Sequence, residues 1–446
     1  MIKPIHFGKY ILLDKIATGG MAEVFLAMAK GLGGFEKILV VKRILPHHTA
    51  NKEFLKMFVN EARIALQLNQ SNIIQIYDFG EENGHYYLAM EYVEGKNLRE
   101  LLACLEEEGS KLPLEHVLFF MSEIAKGLDY AHRKKDDKTH ALLHLVHRDV
   151  SPQNILISYE GEVKIIDFGI AQAVMLEDET SKVQVLKGKF AYMSPEQVEG
   201  TKLDCRSDIF SLGILLYETL TCQKLFAGEN SFETLLKIKK CEVPLPSLYN
   251  PDIPEEVEGI VLKALQKDPE KRFQSAAEMQ KALKIYLSKN YPEFTSHEFS
   301  SFLKKLFTHE VIEQKKKMKE IISFIEESTG NEEVRVQLPP HSAEIFIGGK
   351  KQSKLAPSEG TFSDFEKKVQ DLDTYIGKKP VQEDIVSRKK ETVGKRWNTS
   401  QKQYFMYVGA LSIVVLALVF SLQYLFHMNP KRHLAGEKPP IHISNP

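Results

Sequence analysis

Four polar residues carry side chains suited to phosphate chemistry. Lys42 closes Leu39-Val40-Val41-Lys42, Asp149 and Asn154 lie within His147-Arg148-Asp149-Val150-Ser151-Pro152-Gln153-Asn154, and Asp167 opens Asp167-Phe168-Gly169. Phosphoryl transfer spreads negative charge over the moving oxygens, so it needs a cation, hard oxygen ligands for a divalent metal and an acceptor for the hydroxyl proton. All three kinds of group are present. Upstream, Ile16-Ala17-Thr18-Gly19-Gly20-Met21-Ala22-Glu23-Val24 joins two strand-like runs through small residues, which let backbone N–H groups approach phosphate oxygens. Singly, each feature has a plain structural explanation: a hairpin, a solvent-facing strand lysine, an exposed helix charge at Glu61, a turn aspartate, a helix cap. The information lies in their order and spacing.

The elements that must position these residues are legible in the periodicity. Alternation predicts strands over Tyr10 to Ile16, Ala22 to Ala29, Lys37 to Ile44, Ile73 to Glu81 and His85 to Tyr92, with a helix over Asn51 to Leu68. After Asn97 the pattern turns helical, with Val117, Phe120, Met121, Ile124, Leu128 and Ala131 on one face. An α+β molecule follows, with a small sheet-rich lobe ahead of a larger helical one.

Taken together, these motifs resemble the eukaryotic-type serine/threonine protein kinases, in the style of bacterial Hanks-type members that carry a membrane segment after the kinase domain. The resemblance covers residues 10–287 and implies a bilobal kinase fold. Ser194-Pro195-Glu196, Asp208-Ile209-Phe210-Ser211-Leu212-Gly213 and Arg272 continue it, with Glu196, Asp208 and Arg272 in structural roles. It implies that Lys42, oriented by Glu61, holds the α- and β-phosphates of ATP, that Asn154 and Asp167 bind Mg²⁺ or Mn²⁺, and that Asp149 accepts the substrate proton. Adenine is expected under Val24 and Val40 and over Leu156, read by backbone groups near Glu91 and Val93, with Met90 at the rear and the 16–24 hairpin above the phosphates.

Three departures bear on activity. Ala17 and Ala22 replace the outer glycines of the G-x-G-x-x-G register, and alanine disfavours positive φ, so a stiffer loop and weaker nucleotide binding are expected. Ser151 stands where the family carries a lysine, and Gly188-Lys189 stands where it carries Gly-Thr; Lys189 is expected to supply the missing charge from the other side. Arg148 is a candidate phosphate pocket, with Thr180 and Ser181 as the candidate phosphosites of the activation segment. Residues 133–143 read as a surface insertion.

Beyond the kinase-like region, residues 288–330 keep a helical stripe through Phe299, Phe302, Leu303, Leu306, Phe307, Val311, Ile312, Ile321, Ile322 and Ile325, which either docks on a lobe or pairs with a second copy. Residues 331–403 are polar and read as a flexible tether, with a strand-like piece at Ala343 to Ile347. Residues 404–426 lack Asp, Glu, Lys and Arg and as a helix reach about 34 Å, which predicts one membrane span. The cations at 388, 389, 390, 395, 396 and 402 predict that the kinase side stays cytoplasmic, with 427–446 as a short outer tail.

Composition excludes other classes. With 59 Lys plus Arg against 60 Asp plus Glu, no nucleic-acid-coating role is expected, and four scattered cysteines indicate neither a disulfide framework nor a zinc ribbon. The expected partners are ATP, protein substrates and a membrane, with a homodimer formed through 297–328 as a further expectation. The competing interpretation is a pseudokinase scaffold, kept open by Ala17, Ala22 and Ser151; a folded outer sensor is not expected of so short a tail without staples or partners.

Overall fold

The computed structural model of the protein describes residues 4–30, 35–46, 52–137, 139–168, 190–329 and 335–337. All of these belong to one of the chain's two compact units, residues 1–355. The expected span at 404–426, the tether beyond 337 and the outer tail lie outside the described residues, as do Thr180, Ser181, Gly188 and Lys189. Among the described residues, no helix is long and apolar enough to cross a membrane.

The first lobe is a twisted sheet of β1 (Ile5–Phe7), β2 (Tyr10–Thr18), β3 (Ala22–Lys30), β4 (Phe35–Ile44), β5 (Ile76–Glu82) and β6 (His85–Met90), ordered β1-β2-β3-β4-β6-β5, with helix α1 (Lys52–Leu66) against it. β-Branched and aromatic residues at alternate positions make these strands. Along β3, Phe25 and Ala27 enter one apolar cluster with Leu12, Leu39 and Val41, whereas Leu26 and Met28 enter another with Leu13 and Ile38. Both faces of the sheet are therefore covered. A one-residue step along a strand switches face, so Val24 and Leu26 share the side of Met28.

The chain then crosses to the second lobe through β7 (Gly95–Asn97), which pairs with β8 (Ile155–Ser158), itself paired with β9 (Val163–Ile165). A Cβ at Gly95 would lie 2.0 Å from the Ile157 carbonyl oxygen, so only glycine lets these backbones meet. Helix α2 (Leu98–Glu107) starts at a capping box in which Asn97 and Glu100 exchange hydrogen bonds of 3.0 Å each. In α3 (Leu114–His132) all six residues of the expected stripe are buried, and they pack on α5 (Cys205–Thr221), the lobe's central helix. Around them lie α4 (Pro195–Glu199), α6 (Ser231–Lys240), α7 (Glu255–Ala264) and α8 (Ala276–Asn290). The 133–143 region is a turn closed by a bridge between Lys135 and Leu142.

The remainder differs from expectation in two places. Helix α8 runs past 287, then α9 (Ser296–Leu306) and α10 (Thr308–Thr329) dock on the two lobes, and within the expected tether Arg335–Gln337 form β10. This strand pairs in parallel with Phe35–Lys37 of β4, on the edge whose continuation, Val40–Arg43, takes β6. Ile312, assigned to the apolar stripe by its spacing, is 63% exposed, because the docked face of α10 runs through Val311, Gln314, Met318 and Ile321 instead.

Candidate active site

β4 delivers Lys42 to the junction of the lobes, where its Nζ lies 2.6 Å from Asp167 Oδ1. Asp167 follows β9 with φ +54°, a left-handed conformation that is uncommon for an aspartate and points to a functional constraint. The turn is fixed on both sides. Ile166 donates its N–H to the Asn154 carbonyl at 2.9 Å, and the Phe168 ring packs 4.6 Å from that of the fully buried His147. His147 Nε2 in turn lies 3.0 Å from the Ile166 carbonyl. Asn154, at the end of a 3₁₀ turn begun by buried Ser151 and Pro152, donates from Nδ2 to both the backbone oxygen and Oδ2 of Asp149, each at 2.9 Å. Lys42, Asp167, Asn154 and Asp149 are thus joined by a continuous set of contacts across 125 residues of sequence.

The loop over residues 147–154 hangs from one carboxylate. Asp208, at the start of α5, accepts the N–H groups of His147 at 2.7 Å and Arg148 at 2.9 Å, and lies 2.7 Å from His132 Nε2. Burial pushes this carboxyl up, but the His132 contact and the loop amides more than offset that, and it titrates below the usual range. Arg148 itself has φ +66°. Behind the loop, Arg272 grips Glu196 with a two-pronged pair at 2.7 and 2.9 Å, joined by the Ser207 hydroxyl at 2.7 Å. Here too burial raises the Glu196 carboxyl while Arg272 brings it below its ordinary value. Gln197, one residue on, donates to the Arg148 carbonyl at 2.9 Å, so this support reaches that loop directly.

A cavity of about 610 Å³ opens beside Lys42 and Asp167, within the size of small-ligand pockets. Val24, Val40 and Leu156 line it as expected for adenine, with Met90, Glu91 and Val93 at the crossing between lobes and Ile16 and Ala17 at the rim. The Glu91 N–H donates to the Gln75 carbonyl at 2.9 Å and its side chain pairs with Lys164 at 3.0 Å, so its amide is already used within the protein. The rest of the hairpin departs from expectation. Thr18, Gly19, Gly20, Met21 and Ala22 do not line this cavity, and Glu23 points away from it, pairing with Lys15 and Arg43 at 2.7 Å each. Ala17 and Ala22 pair with Val24 and Ile44 as strand residues, and neither has positive φ. Glu61 lies on α1, but its side chain is outside the described ones, so its expected pairing with Lys42 is too.

One wall of the cavity was not anticipated. Glu310, Glu313, Gln314, Lys317, Met318 and Ile321, all on α10, line it as well. The amphipathic stripe signalled a docking face, but no sequence pattern tells which surface a helix will cover.

The Protein kinase domain family model matches residues 10–287. The chain belongs to the protein kinase family. Among curated relatives, this kinase is 41% identical over 304 residues to the Myxococcus xanthus "Tyrosine-protein kinase MasK", covering 68% of this chain and 47% of that one. It is 38% identical to the Bacillus subtilis "Serine/threonine-protein kinase PrkC", over 62% of this chain and 40% of that one. It is 34% identical to the Mycobacterium tuberculosis "Serine/threonine-protein kinase PknL", over 61% and 64% respectively. The kinase therefore spans about half the length of the curated relatives it matches.

Proposed function

We propose that the protein transfers the γ-phosphate of ATP to Ser or Thr hydroxyls of proteins. The observation that carries this reading is the contact chain from Lys42 through Asp167 and Asn154 to Asp149 at the mouth of an apolar cavity. The oxygens of Asn154 and Asp167 suit Mg²⁺, which takes few protein ligands and completes its shell with phosphates and water. When bound, the ion neutralises charge on the phosphates. With nucleotide and metal bound, Lys42 would hold phosphate oxygens, and Asp167 and Asn154 would hold the ion beside them. Asp149, its carboxylate fixed by Asn154 Nδ2, would take the proton of the substrate hydroxyl as that oxygen bonds to the γ-phosphorus and the bond from phosphorus to the departing ADP oxygen breaks.

Relatives named for serine/threonine specificity support that acceptor class, while MasK is named a tyrosine kinase; hydroxyl choice is therefore part of the test. Replacing Asp149 by Asn should lower phosphate transfer by about 10²–10⁴-fold while nucleotide affinity stays within a few-fold, since the base acts only in the transition state. Acid hydrolysis of the labelled product should yield phosphoserine or phosphothreonine. Undiminished transfer by Asp149→Asn, or phosphotyrosine alone, would overturn the respective half of the proposal.

The same reading extends to residues outside the described set. Thr180 and Ser181 as autophosphorylation sites facing Arg148, Lys189 as the counterpart of Ser151, and 404–426 as a membrane anchor with the kinase in the cytoplasm rest on sequence pattern. Homodimerisation through 297–328 has lost its original support, because the apolar face of that region is covered by the chain's own lobes.

A further inference from the structure

The segment after residue 290 contacts both lobes, and it lies beyond the part of the chain that the kinase family model matches. Its first half is fastened to the large lobe. Phe299, Leu303 and Phe307 are buried in that lobe's core, Ser300 Oγ donates to the Tyr159 carbonyl at 2.9 Å, and Lys304 pairs with Glu160 at 2.6 Å. Helix α10 starts there, with Val311 against the same core. One turn on, Gln314 hydrogen-bonds Tyr92 at the crossing between lobes, and Lys317 pairs with Asp14 of β2. Met318 and Ile321 then pack among Leu13, Leu26, Met28 and Ile38 of the small lobe, where Ile321 is 1% exposed. β10 completes the attachment on the edge of β4.

The face that α10 covers continues the roof of the nucleotide cavity. Val24, Leu26 and Met28 lie on one side of β3 at alternate positions, and Ile38, Val40 and Lys42 do the same on β4. The near half of this surface meets the cavity and the far half meets α10. A helix has fixed rise, so it cannot stretch when lobes separate. Moving the lobes apart must pull Ile321 from its pocket or Phe307 from the other.

We propose that α10 is a strap that couples nucleotide binding to the seating of the segment after residue 290, and that the seated strap favours the nucleotide. This rests on the kinase reading of the cavity. The sign follows from geometry: the seated helix lines the cavity yet leaves about 610 Å³ of space in it. Holding the lobes together in advance removes part of the ordering cost that a bridging ligand otherwise bears. Linkage makes the effect mutual, so nucleotide must also hold α10 in place. A protein or modification that lifts α10 would thereby lower nucleotide affinity through a segment that lies beyond the family match.

The test uses the full chain in detergent with a non-hydrolysable ATP analogue and Mg²⁺. Ile321→Asp should weaken analogue binding about tenfold, within the usual range of coupling, and speed tryptic cutting at Lys315, Lys316 and Lys317. Ile312→Asp, on the exposed side of the same helix, should match wild type in both. In the wild-type chain the analogue should slow cutting at those lysines. If Ile321→Asp does not fold, Met318→Ala is read by the same two measurements. Faster cutting with analogue affinity within twofold of wild type would overturn the strap, and tighter binding would reverse its sign and overturn it equally. Absence of analogue binding to the wild-type chain would instead sink the kinase reading on which it rests.

Discussion

At the scale of single residues, the best-defined charges are not those of the chemistry but those beneath it. Arg272 and Glu196 are both buried, and removing one partner strands the other's charge away from water. Arg272→Ala should therefore cost about 3–5 kcal/mol, measurable by urea denaturation, whereas an exposed pair such as Lys304–Glu160 should contribute less than about 1 kcal/mol. The folded carboxyls of Glu196 and Asp208 lie below their ordinary values, so each contributes stability that is complete above the unfolded carboxylate range of about 4 and is lost as the pH falls through the lower folded values. The contribution of these two carboxyls should be flat from neutrality to about pH 5 and be lost below about pH 4. Glu196→Gln should show a shallower acid decline than wild type in denaturation curves taken across that window; a parallel decline would mean the pair does not supply the acid sensitivity.

Elements explain what a reading of the sequence can and cannot reach. Strands β2 to β6 and the buried face of α3 follow from alternation and from a 3.6-residue stripe, and the motif order singles out Lys42, Asp149, Asn154 and Asp167, which the structure brings together. Side-chain type alone would not have been enough; the order and spacing of the motifs carried the information. Three things escaped. Glu23 was placed with the phosphates because strand alternation alone does not say which side of a hairpin faces the cleft; its pairing with Arg43 does. The G-x-G-x-x-G register does not tell that Ala17 and Ala22 are strand residues, which their pairing with Val24 and Ile44 shows. The destination of α10 depends on shape complementarity between distant parts of the chain, which no local pattern encodes. Gly95 marks the opposite case, a residue whose necessity appears only from packing. Gly95→Ala would drive a methyl into the backbone of β8, so it should destabilise by about 1–3 kcal/mol or displace β7. Because β7 borders the cavity through Gly95 and Asn97, the nucleotide Kd should rise together with the loss of stability. A stable variant with unchanged Kd would show that the close approach at Ile157 is not required.

For the whole molecule, the boundary drawn by family resemblance does not coincide with the boundary of the folded unit. The family match stops at 287, inside α8, yet the compact unit extends to 355 and its core includes Phe299, Leu303, Phe307 and Ile321. Burial of each such side chain is favourable by about 1.5–3 kcal/mol before ordering costs, and their removal uncovers apolar partners on both lobes. A chain ending at 290 should expose Leu26, Met28 and Ile38 on one lobe and the His116–Phe120 surface of α3, where the His116 ring lies 4.8 Å from that of Phe302, on the other. Compared with a chain ending at 340, it should melt lower by at least about 5 °C, a loss of a few kcal/mol for a protein of this size. It should also bind an apolar-surface dye that the longer chain excludes, since contiguous exposed apolar area of this kind is uncommon on folded monomers. Equal melting temperatures and no dye uptake would mean that the kinase domain is complete without α9 and α10. The two outcomes differ in physical origin from the nucleotide coupling, because surface exposure is read here with no ligand present.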